Sequence, residues 1–279
     1  MSAEAAATRR RIAPVGHFLG LAVVVLTSIF PFYWMVTTSL KTRADAVARD
    51  PVWFFSPTLA NYREALFDSG VAHALLNSTI VASCTTLLAV VLGTPAAYAL
   101  ARYEFRGKRE LWFWYITNRM VSPIVLAVPV FLIANSLDLI DTHLVLILIY
   151  LTFTLPIVVW ICTDQFRGVP VALDEAARLE GARAWTIFWR INLPLAMPGV
   201  VVSAILSFIF AWNDLLYALV LTRTQARTAP LAATSFMSGY ELPWGVIMAT
   251  GTMIVLPMVI FAMLVSGRLV QGLTMGAVK

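Results

Sequence analysis

The chain has 279 residues, the length of one or two soluble domains, yet 60% of it is apolar and only 13% is charged. Soluble globular domains carry roughly 25% charged residues. With a mean hydropathy of +0.82, this chain has too little polar surface to cover its hydrocarbon in water, so lipid is the expected solvent. The net charge of +5 (20 Lys+Arg against 15 Asp+Glu) fits a membrane protein biased towards one face better than a nucleic-acid binder, which would cluster its basic residues on a soluble module.

A helix needs about 20 predominantly apolar residues to cross the bilayer core. Six such stretches follow in chain order: 12–40, 69–101, 111–137 (interrupted only by Arg119), 142–163, 191–213 running on past Asp214 to 221, and 242–267. They are continuously apolar rather than alternating, which predicts helices and excludes a barrel. The expected fold is therefore an all-α integral membrane protein with six transmembrane helices. It has a cytoplasmic segment 1–16, a membrane domain 17–267 and a cytoplasmic tail 268–279. Arg9, Arg10 and Arg11 resemble the start of a signal peptide, but the apolar run behind them is long and no A-x-A site closes it. An uncleaved anchor is expected.

With the amino terminus inside, thirteen of the 20 basic residues fall on the cytoplasmic side and six outside, with Arg119 left within a span. The positive-inside rule thus places both termini in the cytoplasm. The outer segment 41–68 carries Trp53, Phe54, Phe55 and Tyr62, suited to a membrane interface. Cys84 and Cys162 lie in apolar runs without CxxC spacing, and are read as packing residues. His17, His73 and His143 belong to no metal or catalytic pattern. No metal site and no catalytic residue is expected.

Polar groups inside spans are costly and are functional candidates by default. Asn118, Arg119, Asn213 and Asp214 qualify, with the rings of Trp212 and Tyr217 beside the last two. The bland alternative for each is a tie between helices. Pro95, Pro123, Pro129 and Pro156 are expected as kinks within spans.

The inner loop 164–198 is far longer than a connection needs. Pro170, Asp174 and Glu175 read as a helix start, and Gly181 as its end or hinge. A second, aromatic helix with Trp185, Phe188 and Trp189 is expected from about 182 to 191, stopping before Pro194. Such a pair could lie on the membrane as amphipathic helices without a partner, or serve as a docking segment.

Glu175-Ala176-Ala177, three residues, Gly181, nine residues, then Ile191-Asn192-Leu193-Pro194 match the pattern E-A-A-x3-G-x9-I-x-L-P over twenty positions without a gap. The chain therefore resembles the permease subunits of ATP-binding-cassette importers, with the MetI-like type I fold. It is similar to the MalG-type sugar permeases in Asn61-Tyr62, Asn77-Ser78, the run 96–102 ending in Arg102, Met120 and Pro123, Trp212-Asn213-Asp214 and the end Gly272 to Lys279. That pattern usually has Glu where this chain has Asp214.

The resemblance implies a bacterial or archaeal plasma (inner) membrane location. Its implied partners are a second, MalF-like permease, two ATPase subunits and an extracytoplasmic sugar-binding protein. Asp174, Glu175, Ala176, Ala177, Gly181, Ile191, Leu193 and Pro194 would form the segment coupled to an ATPase. The solute would be a sugar, with a disaccharide of trehalose or maltose type expected; Asn118, Arg119, Asn213 and Asp214 would be substrate-path residues, with Trp212 and Tyr217 offering rings on which the sugar could stack. No Walker motif occurs, the lone Gly107-Lys108 being followed by Arg109. This chain is thus expected to be no enzyme and to bind no cofactor, with ATP and Mg held by the partner ATPases. The rival readings are an ABC importer for another solute and an ion-driven secondary transporter.

Overall fold

The computed structural model describes residues 3–118, 120–238 and 242–274, and among them all regular structure is helical. In chain order the helices are α1 (Ala3–Ser39), α2 (Arg43–Ala46), α3 (Ala60–Arg63), α4 (Val71–Arg102), α5 (Lys108–Asn118), α6 (Pro123–Ser136) and α7 (His143–Gly168). They continue with α8 (Val171–Leu179), α9 (Ala184–Ile187), α10 (Leu193–Asn213), α11 (Leu216–Leu221), α12 (Ala229–Thr234) and α13 (Trp244–Thr274). Two π turns, Glu64–Asp68 and Phe188–Asn192, interrupt the regular pattern.

Five described helices are long and apolar enough to cross a membrane: Phe18–Ser39, Val71–Arg102, His143–Gly168, Ala184–Asn213 and Trp244–Phe261. They fall on five of the six expected stretches. The third stretch is instead two helices, α5 and α6. The break has a local cause. Pro123 occupies the start of α6, where its missing N–H is no loss, and the residue before a proline is pushed out of helical space; Ser122 is extended at ψ 125°. Pro123 therefore opens a helix rather than kinking one. At 14 residues α6 is about 21 Å long, short of the roughly 30 Å hydrocarbon core.

The chain forms two compact units, residues 1–70 with 236–255 and residues 71–235 with 256–279. In the first, the large apolar side chains of α1, among them Phe18, Leu19, Leu26 and Ile29, stand exposed, as lipid-facing residues do. The end of α1 is closed by the Asn61-Tyr62 motif. The last carbonyls of a helix lack intrahelical donors, and the buried Asn61 donates from Nδ2 to the Ser39 and Lys41 carbonyls, both at 2.8 Å. Tyr62 Oη meets Ser39 Oγ at 2.7 Å. Gly245 leaves room for Asn61, since a Cβ there would lie 2.5 Å from its Oδ1. Lys41 is buried beneath Trp34 and Phe55, its Nζ 4.7 and 5.3 Å from the ring centroids.

The second unit is built on α4, α7 and α10. Membrane helices gain little from hydrophobic association and pack through small residues that let backbones approach. Ala89, Ala97 and Ala196 are fully buried in one cluster with Val158, Cys162 and Phe166. A Cβ on Gly93 would sit 2.7 Å from Val158 Cγ1. Cys162 is thus a packing residue, whereas Cys84 is exposed on α4.

Opposite charges do not close the turn 223–226; one carboxylate does. Asp141, at φ +63°, accepts the backbone N–H groups of Arg223, Gln225 and Ala226 at 2.9–3.0 Å and of Thr224 at 3.1 Å. Asn77 donates from Nδ2 to the Gln225 and Arg227 carbonyls at 2.7 and 3.0 Å, and its Oδ1 accepts from His143 Nε2 at 2.8 Å. Ser78 Oγ accepts from the Ala229 N–H at 2.8 Å. Asn77-Ser78 is therefore a tie between α4 and the segment before α12.

Burial of Asp141 pushes its carboxyl up, but the four backbone donors outweigh this and hold it well below the usual carboxylate range. A group held down in the folded state stabilises above its unfolded pKa, about 3.9 for Asp, and loses that contribution as pH falls towards its folded value. Asp141→Asn should therefore lower the melting temperature at neutral pH. The gap to the parent should narrow as pH falls below about 4, read by thermal unfolding in detergent. A gap independent of pH would contradict the assignment.

Candidate functional site

The residues matching the E-A-A pattern lie on the segment that follows α7. Val169 and Pro170 are extended (ψ 129° and 128°), and α8 starts on Pro170. α8 has two faces. Asp174 and Ala177, three apart, are buried, whereas Glu175, Ala176 and Leu179 are exposed. Leu179 is 90% exposed, an apolar side chain that sequence reading missed because the E-A-A pattern leaves its position free.

α8 ends in a Schellman motif. The Gly181 N–H bonds to the Arg178 carbonyl at 3.0 Å and the Ala182 N–H to the Ala177 carbonyl at 2.9 Å. This geometry puts Gly181 at φ +82°, a conformation other L residues adopt only at a cost of roughly 1–2 kcal/mol. No neighbour lies within 4 Å of a Cβ built there, so the requirement is conformational and not steric.

The second helix does not stop before Pro194, as expected, but runs into the next span. α9 passes through the π turn Phe188–Asn192, where the Leu193 N–H reaches back to the Phe188 carbonyl, and α10 continues through Pro194. A wider turn absorbs the donor that Pro194 lacks. Phe188 is buried against Tyr98 and Phe166, centroids 5.1 and 6.1 Å away. Trp185 and Trp189 remain exposed, Ile191 and Leu193 are half-buried, and Pro194 is exposed.

Beneath α8 lies a charge pair. Arg102, the last residue of α4, places Nε 3.0 Å from Asp174 Oδ2, with both side chains almost wholly buried; the approach is an ion pair without hydrogen-bond alignment. Its Nη2 donates to the Val169 carbonyl at 2.8 Å and to Asn192 Oδ1 at 3.0 Å. Asn192 Nδ2 in turn donates to Asp174 Oδ1 at 2.6 Å. Arg102 and Asn192 were not singled out as site residues from the sequence, Asn192 being a free position of the I-x-L-P pattern. The signal available was a charged residue ending a span. Removing one partner of such a buried pair costs about 3–5 kcal/mol.

The described substrate-path candidates are held by different contacts. Trp212 and Tyr217 are buried in one hydrophobic cluster with Tyr150 and Phe208. Trp212 stacks on Phe208 at 5.5 Å, and Tyr217 lies parallel to Phe153 at 6.4 Å. Asp214 ends the fifth stretch instead of lying within it: at ψ 127° it breaks α10, and its Oδ1 accepts the Tyr217 and Ala218 N–H groups at 3.0 and 3.4 Å, capping α11. Asn213 is exposed and bonds to the Ile209 carbonyl of its own helix. Asn118 is half-buried and donates to the Thr152 carbonyl of α7. Arg119 lies outside the described residues, as do the tail residues 275–279. Among the described residues no group of His, Cys, Asp or Glu could hold a metal ion.

Gly181→Val should destabilise the turn after α8, whereas Gly181→Asn, which tolerates positive φ, should be milder. Limited proteolysis of the inserted protein is the check: cleavage between 178 and 186 should speed up in the order Gly, Asn, Val. Equal rates would refute the conformational role.

The family described as "Binding-protein-dependent transport system inner membrane component" matches residues 89–275. The trehalose transport system permease protein SugB of Mycobacterium tuberculosis (strain CDC 1551 / Oshkosh) is 42% identical over 260 residues, covering 92% of this chain and 94% of that one. The trehalose/maltose transport system permease protein MalG of Thermococcus litoralis is 35% identical over 271 residues, 94% and 95% of the two chains. In fold, the chain is similar to a chain of a bacterial ABC transporter involved in the import of the acidic polysaccharide alginate, with a TM-score of 0.79 at 20% identity, over 92% of this chain and 96% of that one. The chain belongs to the family of binding-protein-dependent transport system inner membrane components, and within it to the multi-pass permeases of sugar ABC importers.

Proposed function

We propose that this chain forms half of the translocation pathway of an ATP-driven disaccharide importer, and that α8 couples it to a cytoplasmic ATPase subunit. The observation that supports this most directly is the exposed face of α8. Ala176 keeps its profile low, Glu175 offers a carboxylate for a hydrogen bond or ion pair, and Leu179 presents an apolar side chain with nothing over it. A small apolar anchor ringed by polar groups is the composition of an interface core. Gly181 fixes the angle at which that face is presented, and Asp174 and Ala177 hold its back.

The same reading gives the partners. A second, MalF-like permease completes the pathway, two ATPase subunits bind ATP and Mg, and an extracytoplasmic binding protein delivers the solute. α5 and α6 together make the third of six crossings, which leaves both termini cytoplasmic. Trehalose or maltose is the favoured solute, because relatives that align over more than nine-tenths of this chain are named for them. ATPase closure moves α8, and the spans alternate between inward- and outward-open states that contact the ATPases differently. Asn118, Arg119 and Asn213 are the polar groups we assign to the pathway, with Trp212, Asp214 and Tyr217 shaping its wall.

The complex of this chain with its ATPases, partner permease and binding protein, reconstituted in vesicles, provides the test. Leu179→Asp should lower uptake of labelled trehalose or maltose roughly tenfold or more, the scale expected for loss of an interface anchor, while insertion stays normal. Leu179→Cys should cross-link to an ATPase chain. Uptake that survives ATP depletion, or the absence of any cross-link, would overturn the reading. Saturable uptake of a different solute would correct the sugar alone.

A further inference from the structure

A nine-residue helix held only by its two ends is a poor lever. α8 is entered through the extended Val169-Pro170 step and left through the positive-φ turn at Gly181. Its own buried surface consists of Asp174 and Ala177 alone among its nine residues. One methyl group cannot prevent such a helix from pivoting, so what fixes α8 to the body of the protein is the carboxylate of Asp174.

That carboxylate is held in a closed ring. Arg102 reaches three segments at once: the Val169 carbonyl before α8, Asp174 within it, and Asn192 after it. Asn192 closes the ring on Asp174. Arg102 ends α4, Val169 follows α7 and Asn192 leads into α10, so the ring joins α8 to the three helices that form the core of this unit. The guanidinium is suited to the task because its planar fork presents several donors in fixed directions, which an ammonium cannot reproduce. Charge placement agrees: Arg102 lies in the last turn of α4 and Asp174 in the first turn of α8, each at the helix end whose dipole favours it.

We propose that Arg102 is a positioning residue for transport. Through the buried ring with Asp174 and Asn192 it makes α8 and the adjoining ends of α4, α7 and α10 one rigid body, so that displacement of α8 becomes movement of the spans instead of bending at Gly181. This rests on the reading of α8 as the coupling helix.

The test uses the assembled transporter in nanodiscs, with Cys84→Ser and Cys162→Ala and spin labels at Arg178→Cys on α8 and Val91→Cys on α4, both exposed positions. The interspin distance should be the same without nucleotide and with trapped ATP. Arg102→Lys, which keeps the charge but not the fork, should broaden that distance and make it depend on nucleotide. It should also lower solute moved per ATP hydrolysed roughly tenfold, within the usual range of coupling between sites, while assembly and basal ATP hydrolysis persist. Asn192→Ala opens the ring without removing a charge and should act in the same direction, so it decides the matter if Arg102→Lys does not assemble.

A nucleotide-dependent distance in the parent overturns the proposal, as does an unchanged distance and transport ratio in the variants. A parent in which Leu179→Cys finds no ATPase contradicts the function reading instead, and leaves the rigid-body measurement standing by itself.

Discussion

The structure around the E-A-A segment depends on one buried charge pair. Arg102 and Asp174 are almost wholly removed from solvent, a placement whose desolvation cost is met only when further hydrogen bonds complete both groups. Here the Val169 carbonyl and the Asn192 amide complete them. The charge that fixes α8 from within also settles which of its faces is left to the outside. With Asp174 and Ala177 inward, Glu175, Ala176 and Leu179 point away, so one ionic contact orients the exposed face.

The same economy recurs in the rest of the second unit and at the end of α1. Asp141 gathers four consecutive amides, Asn77 spans from α4 to two carbonyls, and Asn61 closes the end of α1. In each case a short polar side chain satisfies backbone groups of a turn or a helix end, which no helical ladder reaches. Between these ties, the spans approach through Gly93, Ala89, Ala97 and Ala196, where contact is made by backbone and methyl groups.

Asp214 shows how a polar residue within an apolar run can act on the backbone. In sequence it stands among apolar residues and invites a role on the substrate path. In the structure its carboxylate caps α11 and ends α10. What marks that break in the linear run is Asp214 itself, a residue favoured at a helix start, followed by Leu215 and Leu216 with no proline or glycine between. Pro123 also acts locally: its effect on Ser122 divides one expected span into α5 and α6. The π turn before Pro194 belongs to the same class, a local adjustment that keeps a helix going where propensity alone ends it.

Composition and hydrophobic runs by themselves determined the helical membrane class and the position of five long spans, because a bilayer admits few alternatives to a helix with every backbone bond satisfied. The spacing from Glu175 to Pro194 pointed to the importer permeases, which the matched family and relatives then bore out. The inward and outward faces of α8 were not legible, nor was the partnership of Arg102, Asp174 and Asn192. Those residues are 18 to 90 positions apart, and no periodicity within one helix reports which distant side chains will share a buried site. Only the packing of α4, α7 and α10 brings them to one point, since a buried charge takes its partner from whatever the tertiary fold places beside it.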